Sequence, residues 1–368
     1  MKLIFPFTYM DQWYFGRYED QIRALCNNFE KVTIIVQFGV PVKHDIENLE
    51  VLINKIATGQ NRKITVRIKN FVKKITFIQW FKRVEQNKQI VEHWVKEGIE
   101  GDAILSYSGA GLNQTLHCNI GEALGIPVIH RMRGDGVTER SKGLNIFSAL
   151  ISNHFHYSSL KRYSLHIPIN LDYQAKLIKW GVSPGRITEP VGLGVDTDQF
   201  KGKSKPTRLT LGYFGRLEKA KNIDFLIEVM KQTPNVDYIV LGRNPRKYKF
   251  PSNVRYLGYV AKSKMPIYYE QIIALVNPSF SEGFPNVLLE AYATKTPVFG
   301  SPATFPLGVP IFGEEIELDV ESWVNAIDAI KIRHLIKNGA KARKWVQNST
   351  WEKWGEVMAK HIEGTQNE

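Results

Sequence analysis

The chain has 368 residues, too many for one ordinary core, and its length indicates two domains of about 150–200 residues each. With 43% apolar and 11% aromatic residues it has the material for two packed interiors. A formal charge of +13 calls for an anionic partner; without a helix-turn-helix, zinc or RNA-recognition pattern, nucleic acid is set aside in favour of a phosphorylated substrate or an anionic lipid surface.

Residues 3–7 read as a first buried strand, with Asp11 arriving too early for a signal peptide. Ile22, Leu25, Cys26 and Phe29 then recur at the three-four spacing of one helix face. Strands follow at 31–38 and 49–53. The segment RKITVRIKNFVKKITFIQWFKR (62–83) holds eight Lys or Arg and no acid, with Ile64, Ile68, Phe71, Ile75 and Ile78 at helical spacing. It is either a basic amphipathic helix for an anionic membrane surface or a packed helix with a solvated basic face. Strands at 103–107 and 127–132 flank helix-like sequence at 112–124, and a basic loop lies at 140–145. The polar stretch KGKSK (201–205) reads as a flexible hinge. The alternation resumes with strands at 209–214, 237–241, 253–258 and 272–276 and helices at 222–231 and 262–270, so each half is expected to contain a parallel sheet. Cys26 and Cys118 stand far apart with no metal-like spacing and read as core residues of a reducing compartment. No apolar run approaches the roughly 18–20 residues of a spanning helix. The expected location is therefore the cytoplasm, free or peripheral on the cytoplasmic face of a membrane.

The most informative stretch is PSFSEGFPNVLLEAYATKTPV (278–298). Glu282 sits in a Ser-Glu-Gly-Phe-Pro turn after an apolar strand, and Glu290 falls about one turn inside the helix that Pro285 and Asn286 open. A helix N-terminus there suits a phosphate, and ionised carboxylates are acceptors for hydroxyls, so the pair suits a ligand carrying both. Glu290 lies among apolar neighbours, where an unpaired charge is costly. Arg216 stands at the carboxyl end of the 209–214 strand and Lys221 five residues on, where both cations can meet a diphosphate. The plainer alternative for all four is a set of solvated turn and helix-surface charges.

This stretch resembles the signature of the family 4 retaining glycosyltransferases, a Glu, seven residues and a second Glu. LGYFGRLEKAKNIDFLIEVM (211–230), ITEPVGLGVDTDQF (187–200), HIPINLDYQAKLIKWGV (166–182) and NVRYLGYV (253–260) are similar to the family's segments in the same order. The likeness runs from about residue 166 to the C-terminus. It implies an α/β chain of two Rossmann-like domains facing a central cleft, the GT-B fold. A C-terminal helix would cross back to the first domain, so that residues 1–200 plus 351–368 bind acceptor and 206–350 bind the nucleotide-sugar. It also implies roles: Arg216 and Lys221 stabilise the leaving diphosphate, Glu282 takes the hydroxyls of the transferred sugar and Glu290 those of the ribose. Gly283, Phe284, Pro285 and Asn286 would hold sugar and phosphate oxygens, and Val260 would meet the base. The implied donor is UDP- or GDP-linked, no metal or other cofactor is expected, and closure about residues 201–205 would exclude water.

Before residue 166 the pattern departs from the family. MDQWYFGRYED (10–20) offers only Gly16 where a Gly-Gly pair would meet phosphate, and Arg133 stands where a histidine near the reacting sugar would be. Arg133 is read instead as a ligand for a phosphate on donor or acceptor. Asp196-Thr197-Asp198 is read as part of the linker and not as a metal site, Ser108 to Gly111 as a tight turn, and His154 and His156 as lacking a third zinc ligand. The expected activity is a retaining transfer of a hexose-type sugar to a glycan or lipid-linked acceptor. A nucleotide-sugar epimerase, a phosphorylase and a non-catalytic sugar- or lipid-binding protein are the rivals.

Overall fold

A computed structural model of the chain describes residues 1–54, 76–107, 111–133, 146–203, 205–244 and 246–365. It separates into two compact units, Met1–Val191 with Gly355–Glu368, and Gly192–Trp354.

The first unit alternates strands and helices in the order β1 (Lys2–Met10), α1 (Gln12–Gly16), α2 (Glu19–Cys26), β2 (Lys31–Gly39), β3 (Leu49–Ile53), α3 (Thr76–Lys96), β4 (Ala103–Ser106), α4 (Leu112–Leu124), β5 (Val128–Met132), α5 (Ile146–Leu160), β6 (Leu165–Pro168) and α6 (Leu171–Lys179). Its six strands form one parallel sheet in the order β3-β2-β1-β4-β5-β6. β1 extends beyond the expected 3–7 because its parallel register with β2 continues to Met10↔Gly39. Ile4, Ile35, Ile104 and Val128 from the sheet pack with Trp94, Leu116 and Ile120 from the helices, and Cys118 joins this core. Both cysteines are buried and free.

The second unit repeats the plan: β7 (Thr210–Phe214), α7 (Ile223–Gln232), β8 (Asp237–Leu241), β9 (Val254–Gly258), α8 (Met265–Tyr269), β10 (Ala274–Asn277), α9 (Asn286–Ala293), β11 (Val298–Gly300), β12 (Glu314–Glu315), α10 (Val320–Asp328) and α11 (Ile332–Val346). Its parallel sheet runs β12-β11-β10-β7-β8-β9. A last helix, α12 (Trp351–Gly364), begins here and ends in the first unit, where Gly355 lies against Ala24 and Asn28 so closely that a Cβ would fall 2.5 Å from the Ala24 carbonyl oxygen.

One expectation, the hinge, needs correction. The division falls after Val191, and the stretch read as a hinge, residues 201–205, lies inside the second unit. Lys205 is anchored there: its ammonium donates to the carbonyls of Tyr269 and Ile272 and to Thr296 Oγ1 at 2.8, 3.3 and 2.5 Å. Of the basic segment 62–83, residues 62–75 lie outside the described residues; α3 begins at Thr76. The turn read at 108–110 and the loop at 140–145 lie outside them too. No helix among the described residues is long and apolar enough to cross a membrane.

Buried histidines in the first unit form a neutral relay whose proton positions follow from its partners. His166 Nε2 faces the Leu160 carbonyl at 3.0 Å and must carry hydrogen, so His166 Nδ1 accepts from His130 Nδ1 at 3.1 Å. His130 Nε2 then accepts from the Gln114 amide at 3.4 Å, and Gln114 Oε1 accepts from His156 Nδ1 at 2.8 Å. An added proton on His166 would set two donors against each other. Burial lowers His166 to about 4 and His117, beside Ser106, to about 3. Between those values and about pH 6.5 the unfolded chain binds protons that the folded one refuses, so stability falls as pH drops below about 6.5. The expected loss is about 2 kcal/mol per histidine by about pH 5. Thermal melts from pH 7.5 to 5 should fall in midpoint, and a His117→Gln, His166→Gln variant should flatten the dependence.

In the second unit the loops after β7 and β8 touch through two glycines. Gly215 N–H donates to the Leu241 carbonyl at 3.0 Å, and Gly242, at φ 144°, places its Cα so near that a Cβ would meet the Gly215 oxygen at 1.8 Å. Gly242→Ala should cost about 3 kcal/mol or more. Gly16→Ala, with open space around the added methyl, should be neutral or stabilising, and denaturant titration of both variants checks the contrast.

Candidate active site

Reversal of strand order leaves the carboxyl ends of the two central strands uncovered by helices, and open parallel sheets bind ligands there. In the second sheet that point lies between β7 and β10. After β7 the chain turns at Gly215 and Arg216, with the Arg216 carbonyl held by the Tyr213 hydroxyl at 2.9 Å. Leu217 is fully buried and bonds its N–H to the Arg243 carbonyl at 3.2 Å. A 3₁₀ turn at Lys219–Lys221 follows, and Asn222 takes the left-handed conformation, which asparagine tolerates, before α7 starts. Lys221 therefore precedes the helix and does not lie in its first turn. After β10 the chain crosses back: the Phe280 N–H donates to the Ala220 carbonyl at 3.1 Å and fastens the two loops together.

That fastening brings Lys221 and Glu282 into an ion pair, Nζ to Oε1. Both side chains are sheltered, at 18% and 10% exposure. The same Glu282 oxygen lies 2.8 Å from Ser279 Oγ and 3.5 Å from the Asn277 amide. The loop beneath is braced by Ser301 Oγ on the Ser279 carbonyl and Thr304 Oγ1 on the Asn277 carbonyl, at 2.5 and 2.6 Å. Glu290, the fifth residue of α9, accepts from the Tyr269 hydroxyl at 3.0 Å. Tyr269 is wholly buried, and burial, reinforced by the neighbouring carboxylate, holds its hydroxyl well above the usual tyrosine range. It stays protonated and donating, which makes a carboxylate tolerable inside an apolar helix.

Arg216 stands at the expected strand end, but its guanidinium is 68% exposed and pairs with Glu218 at 3.1 Å. It does not join the Lys221–Glu282 pair. Gly283 and Phe284 follow Glu282 in the loop, and the Phe284 ring lies over Gly192, where a Cβ would meet it at 2.9 Å. Pro285 is the N-cap of α9 and Asn286 its first residue, so the proline precedes the helix. Val260 follows β9. Gly16 closes the short helix α1 of the first unit, so the expected phosphate loop is a helical turn capped by Asp11 Oδ1 on the Tyr14 N–H at 2.8 Å. Arg133 also belongs to the first unit, just beyond β5.

The structure adds residues that the sequence reading passed over. Ser279, Asn277 and Tyr269 hold the two carboxylates. Arg243 lies over the Tyr259 ring at 5.0 Å, at the ends of β8 and β9 and close to Val260. A signal for it existed: Leu241-Gly242-Arg243 repeats the strand-Gly-Arg arrangement of Phe214-Gly215-Arg216. Asp196, read as part of a linker, accepts the N–H groups of Asp198 and Gln199 at 2.9 and 2.8 Å and so closes a turn. His156 is engaged in the relay described above, and His154 is exposed. Chemically, the assembled site offers cations at the ends of β7 and acceptor carboxylates after β10.

No curated protein matches the sequence. Among solved structures, a sucrose-phosphate synthase from Thermosynechococcus elongatus has a TM-score of 0.77 at 16% identity, covering 100% of this chain and 99% of its own. The Anabaena protein HepE, in complex with UDP-glucose, has 0.67 at 16%, covering 99% and 100%. The lipopolysaccharide outer core galactosyltransferase WaaB has 0.67 at 14%, covering 99% of each. At these identities the likeness is one of fold, and it is the two-Rossmann-unit GT-B fold expected from the sequence. Residues 195–351, which contain Arg216, Lys221, Val260, Glu282 and Glu290, match the family described as Glycosyl transferases group 1.

Proposed function

We propose that this protein is a glycosyltransferase that moves a hexose-type sugar, with retention of configuration, from a nucleoside-diphosphate sugar to a glycan or lipid-linked acceptor. The observation that carries the reading is the Lys221–Glu282 pair at the strand-order reversal, within the segment that matches the glycosyl transferases. Lys221 and Arg216 take the charge that develops on the leaving diphosphate, which is where fixed cations lower a barrier most. Glu282 accepts from hydroxyls of the transferred sugar and Glu290 from those of the ribose. Gly283, Phe284, Pro285 and Asn286 line the sugar and phosphate oxygens, and Val260 lies at the base. Attack comes from the face that the diphosphate leaves; the C1–O(phosphate) bond breaks as the acceptor oxygen bonds to C1, and a departing phosphate oxygen takes the acceptor's proton.

No metal enters this scheme, because the two cations supply the positive charge. HepE, a fold relative solved with UDP-glucose, supports trying uridine donors first. WaaB, a transferase of lipopolysaccharide, supports a lipid-linked acceptor and hence work in the cytoplasm or at the cytoplasmic face of a membrane.

Thermal shift against UDP, GDP, ADP and their sugar conjugates, with and without EDTA, tests the donor site. One nucleotide should raise the midpoint equally in both conditions; no response to any of them would overturn the reading. Glu282→Ala should abolish transfer while nucleotide affinity changes little, and equal loss of both would remove its assignment to the sugar. Lys221→Met should lower kcat by about 10²–10³-fold, as loss of one charge-stabilising donor does elsewhere. The anomeric configuration of the product, read by proton NMR, decides retention.

A further inference from the structure

The first sheet has the same reversal of order, between β1 and β4. Three strand ends converge on what lies beyond it: Tyr14 and Tyr18 follow β1, Tyr107 follows β4 and Arg133 follows β5. The rings form a contiguous group, with Tyr14 and Tyr18 centroids 5.3 Å apart, Tyr18 and Tyr107 at 6.4 Å, and Phe7 beneath Tyr18 at 5.3 Å. The Arg133 guanidinium sits 5.3 Å from the centroids of both Tyr18 and Tyr107. Arg17 lies 5.9 Å over Tyr14. Burial pushes the hydroxyls of Tyr14 and Tyr107 up to about 12, so both remain neutral, and the Tyr107 hydroxyl is itself shut away from solvent.

Arg131, two residues earlier, shows what a structural arginine looks like in this fold. It is wholly buried and spends its donors on the carbonyls of Ile167, Pro168 and Val191. Arg133 has no hydrogen-bonding or carboxylate partner among the described residues; its two contacts there are the tyrosine faces. Stacking restrains a guanidinium without using its N–H groups, which leaves them for a bidentate acceptor. Arg131 and Arg17 add positive charge nearby, while Asp11 is engaged in capping α1. Half-buried tyrosine rings also suit the apolar C–H face of a pyranose.

We infer that Tyr18, Tyr107 and Arg133 form a binding site for an anionic sugar, one bearing a carboxylate or a phosphate, and that this sugar is the acceptor. The assignment to the acceptor rests on the transferase reading; the anionic-sugar site itself does not.

Calorimetric titration of the full chain with methyl β-glucoside, methyl β-glucuronide, glucose 6-phosphate, inorganic phosphate and UDP tests it. At least one charged sugar should bind more tightly than both the neutral glycoside and inorganic phosphate, and the tighter of the two names the anion. Arg133→Gln should weaken that sugar by about tenfold or more, the worth of a charged hydrogen bond, with UDP affinity unchanged and no fall in melting midpoint. Arg133→Lys should recover part of the loss, since it restores charge without the planar fork. No preference for either charged sugar, a preference that survives Arg133→Gln, or inorganic phosphate binding as tightly as glucose 6-phosphate would each overturn the inference. Charged-sugar binding that follows Arg133 in a protein deaf to every nucleotide would keep the site and overturn its assignment to an acceptor.

Discussion

A parallel sheet whose strand order reverses sends its connecting helices to opposite faces at one point, and the backbone ends there have nothing over them. Both sheets of this chain carry the same reversal, β1 against β4 and β7 against β10. Side chains that follow those strands in sequence are thrown together whatever their separation along the chain. Lys221 and Glu282 are sixty-one positions apart and meet because both leave strands at the reversal. The local chemistry then fixes the distance: a glycine at 242 lets the β7 and β8 loops touch, and one backbone bond, Phe280 to Ala220, ties β10 to β7.

Two sheltered charges are costly to desolvate, and an ion pair alone offsets that cost poorly. Glu282 is given Ser279 and Asn277 as well, and Glu290 is given the hydroxyl of a buried tyrosine. The carboxylates are thus held without a ligand, yet each partner has a better one in the proposed donor. On that proposal a diphosphate takes Lys221 from its single carboxylate, and sugar hydroxyls replace the ammonium at Glu282. In the proposed reading the pair's two charges are divided between leaving group and sugar when the donor binds.

Much of this was legible in the sequence, and the losses have definable causes. Four strands of the second unit, β7 to β10, could be placed from their apolar runs, whereas the three- and two-residue strands β11 and β12 are too short to show a pattern; Glu282 and Glu290 stood out because one sits in a turn and the other interrupts an apolar helix. Residues 201–205 misled because a Lys-Gly-Lys-Ser-Lys string is polar on average, whereas the fold turns one of those lysines inward onto two carbonyls and a threonine. Arg216 was placed correctly on its strand, but its pairing with Glu218 is a choice between neighbouring rotamers that spacing does not encode. Of the group in the first unit, Arg133 alone was singled out in the sequence, as a phosphate ligand; Tyr18 and Tyr107 share no motif with it, and the order of strands brings them together.

Arg131 and Arg133 make the last point. They are the same residue type, two positions apart, at the end of one strand. Arg131 lies inside β5, and the three backbone carbonyls it bonds, those of Ile167, Pro168 and Val191, belong to the fold. Arg133 lies one residue beyond the strand, past the last ladder bond, where the described residues offer it aromatic faces. Burial penalises the Arg131 charge and pulls it down to about 10, with Arg133 adding to the strain as a like charge. An anion bound at Arg133 relieves both at once: it satisfies the outer guanidinium directly and lowers the cost of the inner one through the field. Among the described residues the inner arginine has structural partners and the outer one has aromatic faces, and the proposed anionic-sugar site draws on that difference.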